Sequence, residues 1–187
     1  LEWREANGVD NIFYKVPPEA TLQAIRQNMP STHHGFDRHG HPVHLEQPGR
    51  VRWGPLLRSV SKEELVHLHV LLMEYQNRIL LEEGSERAGA PVDSMTNVLD
   101  LSGLRPTILS NFAVMSLFKQ IQKIDQDYYP MQIHATYIVN APLMFHVIWR
   151  VLKLCFTPRD HDRLVLLPGG RRGQEQLAHL FGGKEFT

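Results

Sequence analysis

The sequence predicts an α/β fold in which the sheet is largely parallel. Three short segments rich in β-branched and apolar residues have the character of strands, at 95–101, 133–140 and 163–167. Segments with apolar residues at steps of three and four lie between them, which is the spacing of helices. Strands that alternate with helices along a chain usually pair in parallel, because each crossover helix returns the chain to the same edge of the sheet.

Length and composition exclude several classes of protein. A chain of 187 residues that is 42% hydrophobic and 21% charged can bury the core of one domain, which excludes a disordered chain. Lys and Arg (20) balance Asp and Glu (20), so the excess of positive charge that a nucleic-acid binder needs is missing. The single cysteine, Cys155, excludes an intramolecular disulfide framework and a thiolate metal site.

The first third of the chain is predicted to hold short helices and one strand. Residues 1–14 have the pattern of a helix end followed by a connector. Pro17-Pro18-Glu19 begins a short helix that Pro30 ends, because proline suits the first turn of a helix but not its interior. Residues 32–41 are predicted to be a polar turn region, and residues 42–46 an edge strand.

Two longer helices are predicted in the middle of the chain. Residues 61–64 (Ser-Lys-Glu-Glu) have the order of a capping box, and one buried stripe follows at helical spacing: Leu65, Leu68, Leu72, Tyr75 and Ile79. Residues 84–92 are predicted to be a loop. After the strand at 95–101, which Gly103 and Pro106 end, residues 107–124 are predicted to be helical with Met115, Phe118, Ile121 and Ile124 on one side.

The C-terminal third alternates between strand and helix. Residues 133–140 are predicted to be a central strand because they are continuous and rich in β-branched residues. A helix is expected from Pro142 to about Cys155, then the strand at 163–167, a break at Gly169-Gly170, and a short helix that ends at Gly182-Gly183.

The helix predicted to begin at Pro142 is more apolar than a helix on one side of a sheet needs to be. Apolar residues cover nearly its whole circumference, and only His146, Arg150 and Lys153 form a narrow polar stripe. Two interpretations are open. The helix is buried between two layers, or its second apolar face meets a lipid chain, a membrane or a partner. These polar residues and Asn140 also interrupt the apolar stretch 137–156, which excludes a membrane span and predicts a soluble or peripheral protein.

Five motifs follow one another along about 150 residues. They are Asp-Arg-His-Gly-His-Pro-Val at 37–43, Met-Glu-Tyr at 73–75, Val-Leu-Asp-Leu-Ser-Gly-Leu at 98–104, Tyr-Tyr-Pro at 128–130 with Tyr-Ile-Val-Asn-Ala-Pro at 137–142, and Phe-Gly-Gly at 181–183. This is the order found in CRAL-TRIO lipid-binding domains, the family of the yeast phosphatidylinositol-transfer protein, and the chain resembles that family.

The resemblance implies a mixed, largely parallel sheet that forms the floor of a hydrophobic pocket, covered by helices that include a gate helix. The gate helix corresponds to the over-apolar helix after Pro142. The resemblance also implies that residues 1–14 are the tail of an upstream helical region and that residues 15–187 are the lipid-binding domain. Such a pocket lowers the barrier to moving a lipid through water, since roughly 30 methylenes at about 0.8 kcal/mol each amount to a barrier on the order of 25 kcal/mol.

Several positions depart from the pattern of the phospholipid-binding members. Met131 stands where those members have the Glu that follows Tyr-Tyr-Pro, and Arg163 stands at the position of a Lys that helps to hold an inositol phosphate. Asp160 replaces a Thr, and its charge would oppose a phosphate. Met95 and Asn97 align with a Ser and a Thr linked to phosphatidylcholine contacts. The identity of the head group therefore stays open.

The predicted ligand site has an apolar part and a polar part. Phe145, Trp149, Leu152 and Phe156 are expected to line or gate the pocket, and Tyr75, Asn97, Asp160 and Arg163 to lie near the polar end of the ligand. The predicted function is non-enzymatic binding of a phospholipid or other hydrophobic ligand, with transfer between membranes as its extension. The alternative is a structural or interaction module with a degenerate pocket, acting as a subunit of a larger assembly.

Predicted partners and location follow from that function. They are a lipid, transiently a membrane surface, and protein partners if the chain belongs to a larger assembly, but no nucleic acid. The expected location is cytoplasmic or peripheral to an intracellular membrane. No catalytic residue, metal or cofactor other than a bound lipid is expected, because the eleven histidines lack a zinc-site spacing and the Gly-Gly-Arg-Arg-Gly segment at 169–173 lacks the ending of a phosphate-binding loop.

Overall fold

The structure is a computed structural model that describes residues 2–130, 132–155 and 161–181, with the side chains of Leu152 and Cys155 left outside the description. Among these residues a five-stranded sheet has the spatial order β1 to β5. Strand β1 is antiparallel to β2, and the other neighbours are parallel. The mixed, largely parallel α/β fold is therefore confirmed. The strands are β1 (Ser31–Phe36), β2 (Pro42–Glu46), β3 (Met95–Asp100), β4 (Ile133–Val139) and β5 (Leu164–Leu166).

Helices precede the sheet and connect its strands. They are α1 (Glu2–Ala6), α2 (Glu19–Asn28), α3 (Trp53–Ser59), α4 (Lys62–Tyr75), α5 (Leu81–Ala88), α6 (Phe112–Tyr128), α7 (Phe145–Leu152) and α8 (Arg171–Leu180). Short 3-10 segments occur at Val9–Tyr14, Pro48–Arg50, Pro106–Ser110 and Lys153–Cys155. The predicted capping box is confirmed, because the Ser61 side chain accepts a hydrogen bond from the Glu64 amide and the Glu64 carboxylate accepts one from the Ser61 amide.

The prediction of a turn over 32–41 is wrong for residues 32–36, which belong to β1. This strand is polar and mostly exposed, so its sequence lacks the apolar alternation of a strand, and pairing with β2 stabilises it. Because β1 adds an edge, β2 is an interior strand and not the predicted edge strand. The turn itself is restricted to residues 37–41, where the Asp37 carboxylate accepts from the backbone amides of His39 (2.8 Å) and His41 (3.0 Å).

The prediction of a loop over 84–92 is wrong for residues 84–88, which continue α5. Gly84 suggests a break in the sequence, but its role is to allow close contact. A Cβ at Gly84 would lie 2.2 Å from the carbonyl oxygen of Gly40, and one at Gly40 would lie 2.6 Å from that of Gly84. The pair of glycines lets the β1–β2 turn rest directly on α5.

The predicted buried stripe on α4 holds only at its start. Leu65 and Leu68 are buried against α2 and α3, whereas Tyr75 and Ile79 are 39% and 44% exposed. A π-helical segment, Gln76–Leu80, joins α4 to α5 and places Gln76 and Leu80 in the interior instead. A π turn holds more residues than an α turn, so it changes which residues face inward.

Residues 2–14 pack on the outer side of α4. Val9 and Ile12 are buried with Val70 and Met73 of α4. Three groups converge on the buried carboxylate of Glu74, namely the guanidinium of Arg4 (2.9 Å), that of Arg78 (2.5 Å) and the hydroxyl of Tyr129, which donates over 2.7 Å. Although burial opposes ionisation, these partners hold the pKa of Glu74 below its usual value.

Candidate functional site

The two faces of the sheet differ in what covers them. On one face, which we call the packed face, Val43 and Val98 are fully buried against Leu177 of α8 and against Phe181. On the opposite face, Ile138 and Leu99 pack against Ile148 of α7, which is fully buried. The over-apolar helix therefore packs on the sheet through one side.

A row of polar residues crosses the α7 face of the sheet. Residues paired across neighbouring strands point to the same side, and the pairs here are His33 with His44, His44 with Asn97, and Asn97 with Thr136. We call these four residues the polar row. The ring of Tyr75 lies 6.2 Å from that of His33, and the row continues to Leu164, which belongs to the same apolar cluster as Ile148. The polar row therefore extends from Tyr75 towards α7.

Two members of the polar row carry polar atoms without partners. Both ring nitrogens of His33 and the side-chain oxygen of Asn97 are buried and make no hydrogen bond within the part of the chain that the structure describes. Burial, with the neighbouring His44 as a smaller cause, lowers the pKa of His33 to about 4. The imidazole of His33 is therefore neutral at pH 7, with one donor and one acceptor nitrogen.

The second histidine of the row, His44, is paired with a carboxylate. Nδ1 of His44 lies 3.2 Å from a carboxylate oxygen of Glu46. Burial raises the pKa of Glu46, but the hydrogen bond from His44 and the nearby charges of His44 and His69 outweigh it and hold that pKa below its usual value. The row and its surroundings thus contain an ionised carboxylate, that of Glu46, and the neutral imidazole of His33.

A second polar cluster lies at the carboxyl ends of the strands, and all its groups are paired. Asp100, at the end of β3, accepts from the amide and hydroxyl of Ser102 (3.0 and 2.6 Å) and from the side chains of Asn140 (2.9 Å) and Gln47 (3.0 Å). Burial opposes ionisation, but these donors hold the pKa of Asp100 below its usual value. Asn140 has a positive φ of 52° and directly precedes the Ala-Pro that leads into α7. Asp100 therefore fixes the point where the chain leaves the sheet for α7.

The structure places the predicted ligand residues in separate groups. Tyr75 and Asn97 lie on the α7 face, as described above. Phe145 and Trp149 are neighbours on α7, with ring centroids 6.1 Å apart. Arg163 does not lie in the polar row, since its guanidinium donates to the carbonyl of Ile133 at the start of β4. The Leu152 side chain, Phe156 and Asp160 lie outside the described residues, as do Met131 and Gly182-Gly183.

The outer side of α7 and its flanks expose large apolar side chains. Leu143 is 98% exposed and Leu154 is 80% exposed, and Met144 and Val151 are exposed as well. Arg150 and Lys153 are exposed on the same short segment. This surface combines apolar side chains with positive charge, which is the composition of segments that contact anionic lipid surfaces.

Two cavities that the described residues line lie away from the polar row. One, of about 510 Å³, lies between the β1–β2 turn and α5 and includes Arg38, Glu83 and Arg87. Another, of about 370 Å³, lies between residues of α1, α4 and α6 and includes Trp3 and Tyr128. Neither includes a residue of the polar row or of α7.

Sequence reasoning missed His33, His44 and Glu46 as members of the site. In β2, His44 and Glu46 alternate with Val43 and Leu45, which is also the pattern of a strand with one solvated face. Only the pairing of β1 with β2, and of β2 with β3, brings His33 and Asn97 to the same face. In the described ranges, no three His, Cys, Asp or Glu side chains are grouped so that they could hold a metal ion, and no helix there is long and apolar enough to cross a bilayer.

Comparison with known proteins gives a family match over most of the chain. A model of the CRAL/TRIO domain matches residues 26–183. Similar curated proteins include the phosphatidylinositol/phosphatidylcholine transfer protein SFH11 of Arabidopsis thaliana, 32% identical over 169 residues, or 89% of this chain and 44% of that protein. The SEC14 cytosolic factor of Eremothecium gossypii is 28% identical over 196 residues, or 98% of this chain and 61% of that protein.

A solved structure shows the same fold. The crystal structure of Sfh5 superimposes with a TM-score of 0.74 at 21% sequence identity, covering 100% of this chain and 64% of that one. The chain thus spans less than two thirds of the length of each of these three proteins.

Proposed function

The chain belongs to the CRAL/TRIO domain family, and from that membership we propose that it binds a phospholipid or another hydrophobic ligand on the α7 face of its sheet, between Tyr75 and α7. The observation that carries the proposal is the contrast between the two sheet faces. The packed face is covered by α8 and Phe181, whereas the other face holds polar atoms without partners between Tyr75 and α7. The relatives named as phosphatidylinositol/phosphatidylcholine transfer proteins support a lipid as the ligand.

The proposed site has an apolar end and a polar end. Phe145 and Trp149 lie on α7 at the apolar end, with Leu152 and Phe156 expected to extend it. Tyr75 and Asn97 lie at the polar end. Arg163 and Asp160 are proposed to act at the rim and not in the row, because the Arg163 guanidinium contacts the first residue of β4.

Transfer requires contact with a membrane, and the outer side of α7 is suited to it. Leu143 and Leu154 would enter the apolar boundary of a bilayer while Arg150 and Lys153 face anionic head groups. The proposal involves no catalytic step and no metal. One relative is named a cytosolic factor, which favours a location in the cytoplasm or at the surface of an intracellular membrane.

The competing function is an interaction module whose α7 surface docks on a protein and whose pocket stays empty. Native mass spectrometry of the purified chain separates the two. A lipid bound in a one-to-one ratio is the expected result. A chain that carries no lipid after purification, and takes none up from vesicles, would rule out lipid binding.

A transfer assay between labelled donor and acceptor vesicles tests the membrane surface. Replacing Leu143 and Leu154 together by Asp should slow transfer by about tenfold or more, because each buried apolar side chain contributes about 1.5–3 kcal/mol. The matched control is Tyr14→Asp, since Tyr14 is also 90% exposed and belongs to the segment Val9–Tyr14, which packs on α4. If the control slows transfer as much as the double variant, the membrane-contact part of the proposal fails.

A further inference from the structure

The atoms of the polar row that lack a hydrogen bond within the described residues need hydrogen-bond partners when a ligand is bound. A buried donor or acceptor without a hydrogen bond costs about as much as a lost hydrogen bond, so natural proteins pair nearly all of them. Here three such atoms, two on His33 and one on Asn97, lie on one sheet face within the described residues. The packed face of the same strands is occupied by Val43 and Val98. Packing alone therefore does not explain why polar residues, His33 and Asn97, occupy these positions of the strands.

The surroundings of the row do not suit a phosphate. Within the described residues, no Lys or Arg side chain is hydrogen-bonded or ion-paired to a member of the polar row or to Glu46. The Glu46 carboxylate next to His44 adds negative charge. A phosphate placed in the row would face this carboxylate with no guanidinium or ammonium group of the described residues hydrogen-bonded there to balance it.

We propose that the polar row holds the uncharged end of a lipid with a free hydroxyl, a diacylglycerol, in preference to a phosphate-bearing head group. This inference rests on the proposed lipid-binding function and narrows its ligand class. His33 is not among the residues that the family motifs supply. It enters the site only through the pairing of β1 with β2.

The hydroxyl and ester carbonyl of a diacylglycerol match the hydrogen-bonding groups of Asn97 and His33 one to one. The free hydroxyl of a diacylglycerol donates to the side-chain oxygen of Asn97, and an ester carbonyl accepts from the N–H of His33. His33 and Asn97 are on strands separated by one strand, so they are about 10 Å apart along the sheet. Rotating the His33 ring by a half turn about its Cβ–Cγ bond exchanges the positions of its nitrogens and ring carbons. This rotation can bring a ring nitrogen to the ligand. A sterol, with one hydroxyl and no carbonyl, satisfies only one of the two residues.

Competitive loading tests this preference. The purified chain is incubated with vesicles that contain equimolar dioleoylglycerol, cholesterol, phosphatidylcholine and phosphatidylinositol, re-isolated, and analysed by native mass spectrometry. We expect dioleoylglycerol to dominate the bound fraction by about tenfold, the factor that one additional buried hydrogen bond gives. His33→Phe should remove most of this preference for dioleoylglycerol. His34→Phe is the matched control, because it makes the same change at the next residue of β1.

Each result decides between defined alternatives. A bound fraction dominated by phosphatidylcholine or phosphatidylinositol, or a preference that His33→Phe leaves intact, overturns the inference and leaves lipid binding standing. If cholesterol dominates the bound fraction, the proposed pair of hydrogen bonds with Asn97 and His33 is overturned. A chain that takes up none of the four lipids overturns both this inference and the proposed function. Circular dichroism of each variant shows that the comparison is made between folded chains.

Discussion

The two faces of the sheet are built from alternate residues of the same strands but differ in what they bury. One buries apolar side chains, and the other holds polar atoms without partners among the described residues. On the packed face, Val98 of β3 is fully buried between apolar neighbours and α8. One residue earlier, on the other face, Asn97 is partly buried, and its side-chain oxygen has no hydrogen-bond partner in the described part of the chain. The first arrangement maximises the stability of the empty protein. The second sacrifices some of that stability, which is typical of residues whose partner is a ligand.

This contrast also separates two kinds of buried polar residue. Asp100 and Glu74 are buried and each accepts hydrogen bonds from several residues, so they hold segments of the fold together. The ring nitrogens of His33 and the side-chain oxygen of Asn97 are buried without partners among the described residues. A buried polar residue is thus evidence for a binding site only when its hydrogen bonds cannot be found within the protein.

The largest expected effect comes from the packed face. Leu177→Ala on α8 should lower the free energy of unfolding by about 2–5 kcal/mol, since it opens a cavity against Val43 and Val98. Urea denaturation measures the loss. The matched control is Leu166→Ala, at a position that is 58% exposed, where a change within about 0.5 kcal/mol is expected. Equal effects at the two positions would mean that α8 does not close this face.

A gain in stability is expected from the opposite face. In lipid-free chain, Asn97→Leu should raise the free energy of unfolding by up to about 1–3 kcal/mol, because it removes a buried oxygen without a partner. Gln47→Leu is the contrasting control. The amide of Gln47 donates to Asp100 over 3.0 Å, so its removal should destabilise by about 1.5–3 kcal/mol. A loss at Asn97 as large as that at Gln47 would show that the Asn97 side chain is already satisfied in the empty protein.

The smallest expected effect is a dependence of stability on pH. The pKa of His33 is about 4 in the folded chain and about 6.5 when unfolded. The unfolded state therefore binds a proton first as pH falls, and stability should decrease between about pH 6.5 and 4 by on the order of 1–2 kcal/mol. His44, Tyr75 and the Glu46 carboxylate are the titratable groups around it.

Urea denaturation at a series of pH values measures this slope. His33→Phe should reduce it, but not abolish it, because burial also lowers the pKa of His134 and gives a contribution of the same sign. His34→Phe, on the same strand, should leave the His33 contribution in place. A slope that is identical in wild type and His33→Phe would show that His33 is solvated in the folded chain.

The sequence predicts the apolar part of the fold well and the polar part poorly. The segments predicted as strands at 95–101 and 133–140 agree with β3 and β4 to within one residue, because their β-branched residues suit a buried strand. Strand β1 was not predictable from its own residues. Ser31–Phe36 is polar and forms a strand through pairing with β2, a contact between segments that no local pattern reveals.

The candidate site also has one part that the sequence predicts and another part that needs the structure. Tyr75 and Asn97 are found from motifs that lie in continuous stretches of sequence, and Phe145 and Trp149 from the excess of apolar residues on one helix. His33 depends on the register of two strand pairs, so its position next to Tyr75 needs the three-dimensional structure. Gly84 shows the same limit for local structure, because a glycine that permits close contact and one that breaks a helix look alike in sequence.

The hydrogen bonds of Asp100 couple the ends of three strands through one carboxylate. Gln47 follows β2, Ser102 follows β3 and Asn140 follows β4, and all three donate to the same side chain. Releasing any one donor leaves the charge less well solvated, so local opening of one strand end weakens the other two. These three segments should therefore behave as a single cooperative unit, and backbone amides within it should exchange with solvent deuterium at closely similar rates.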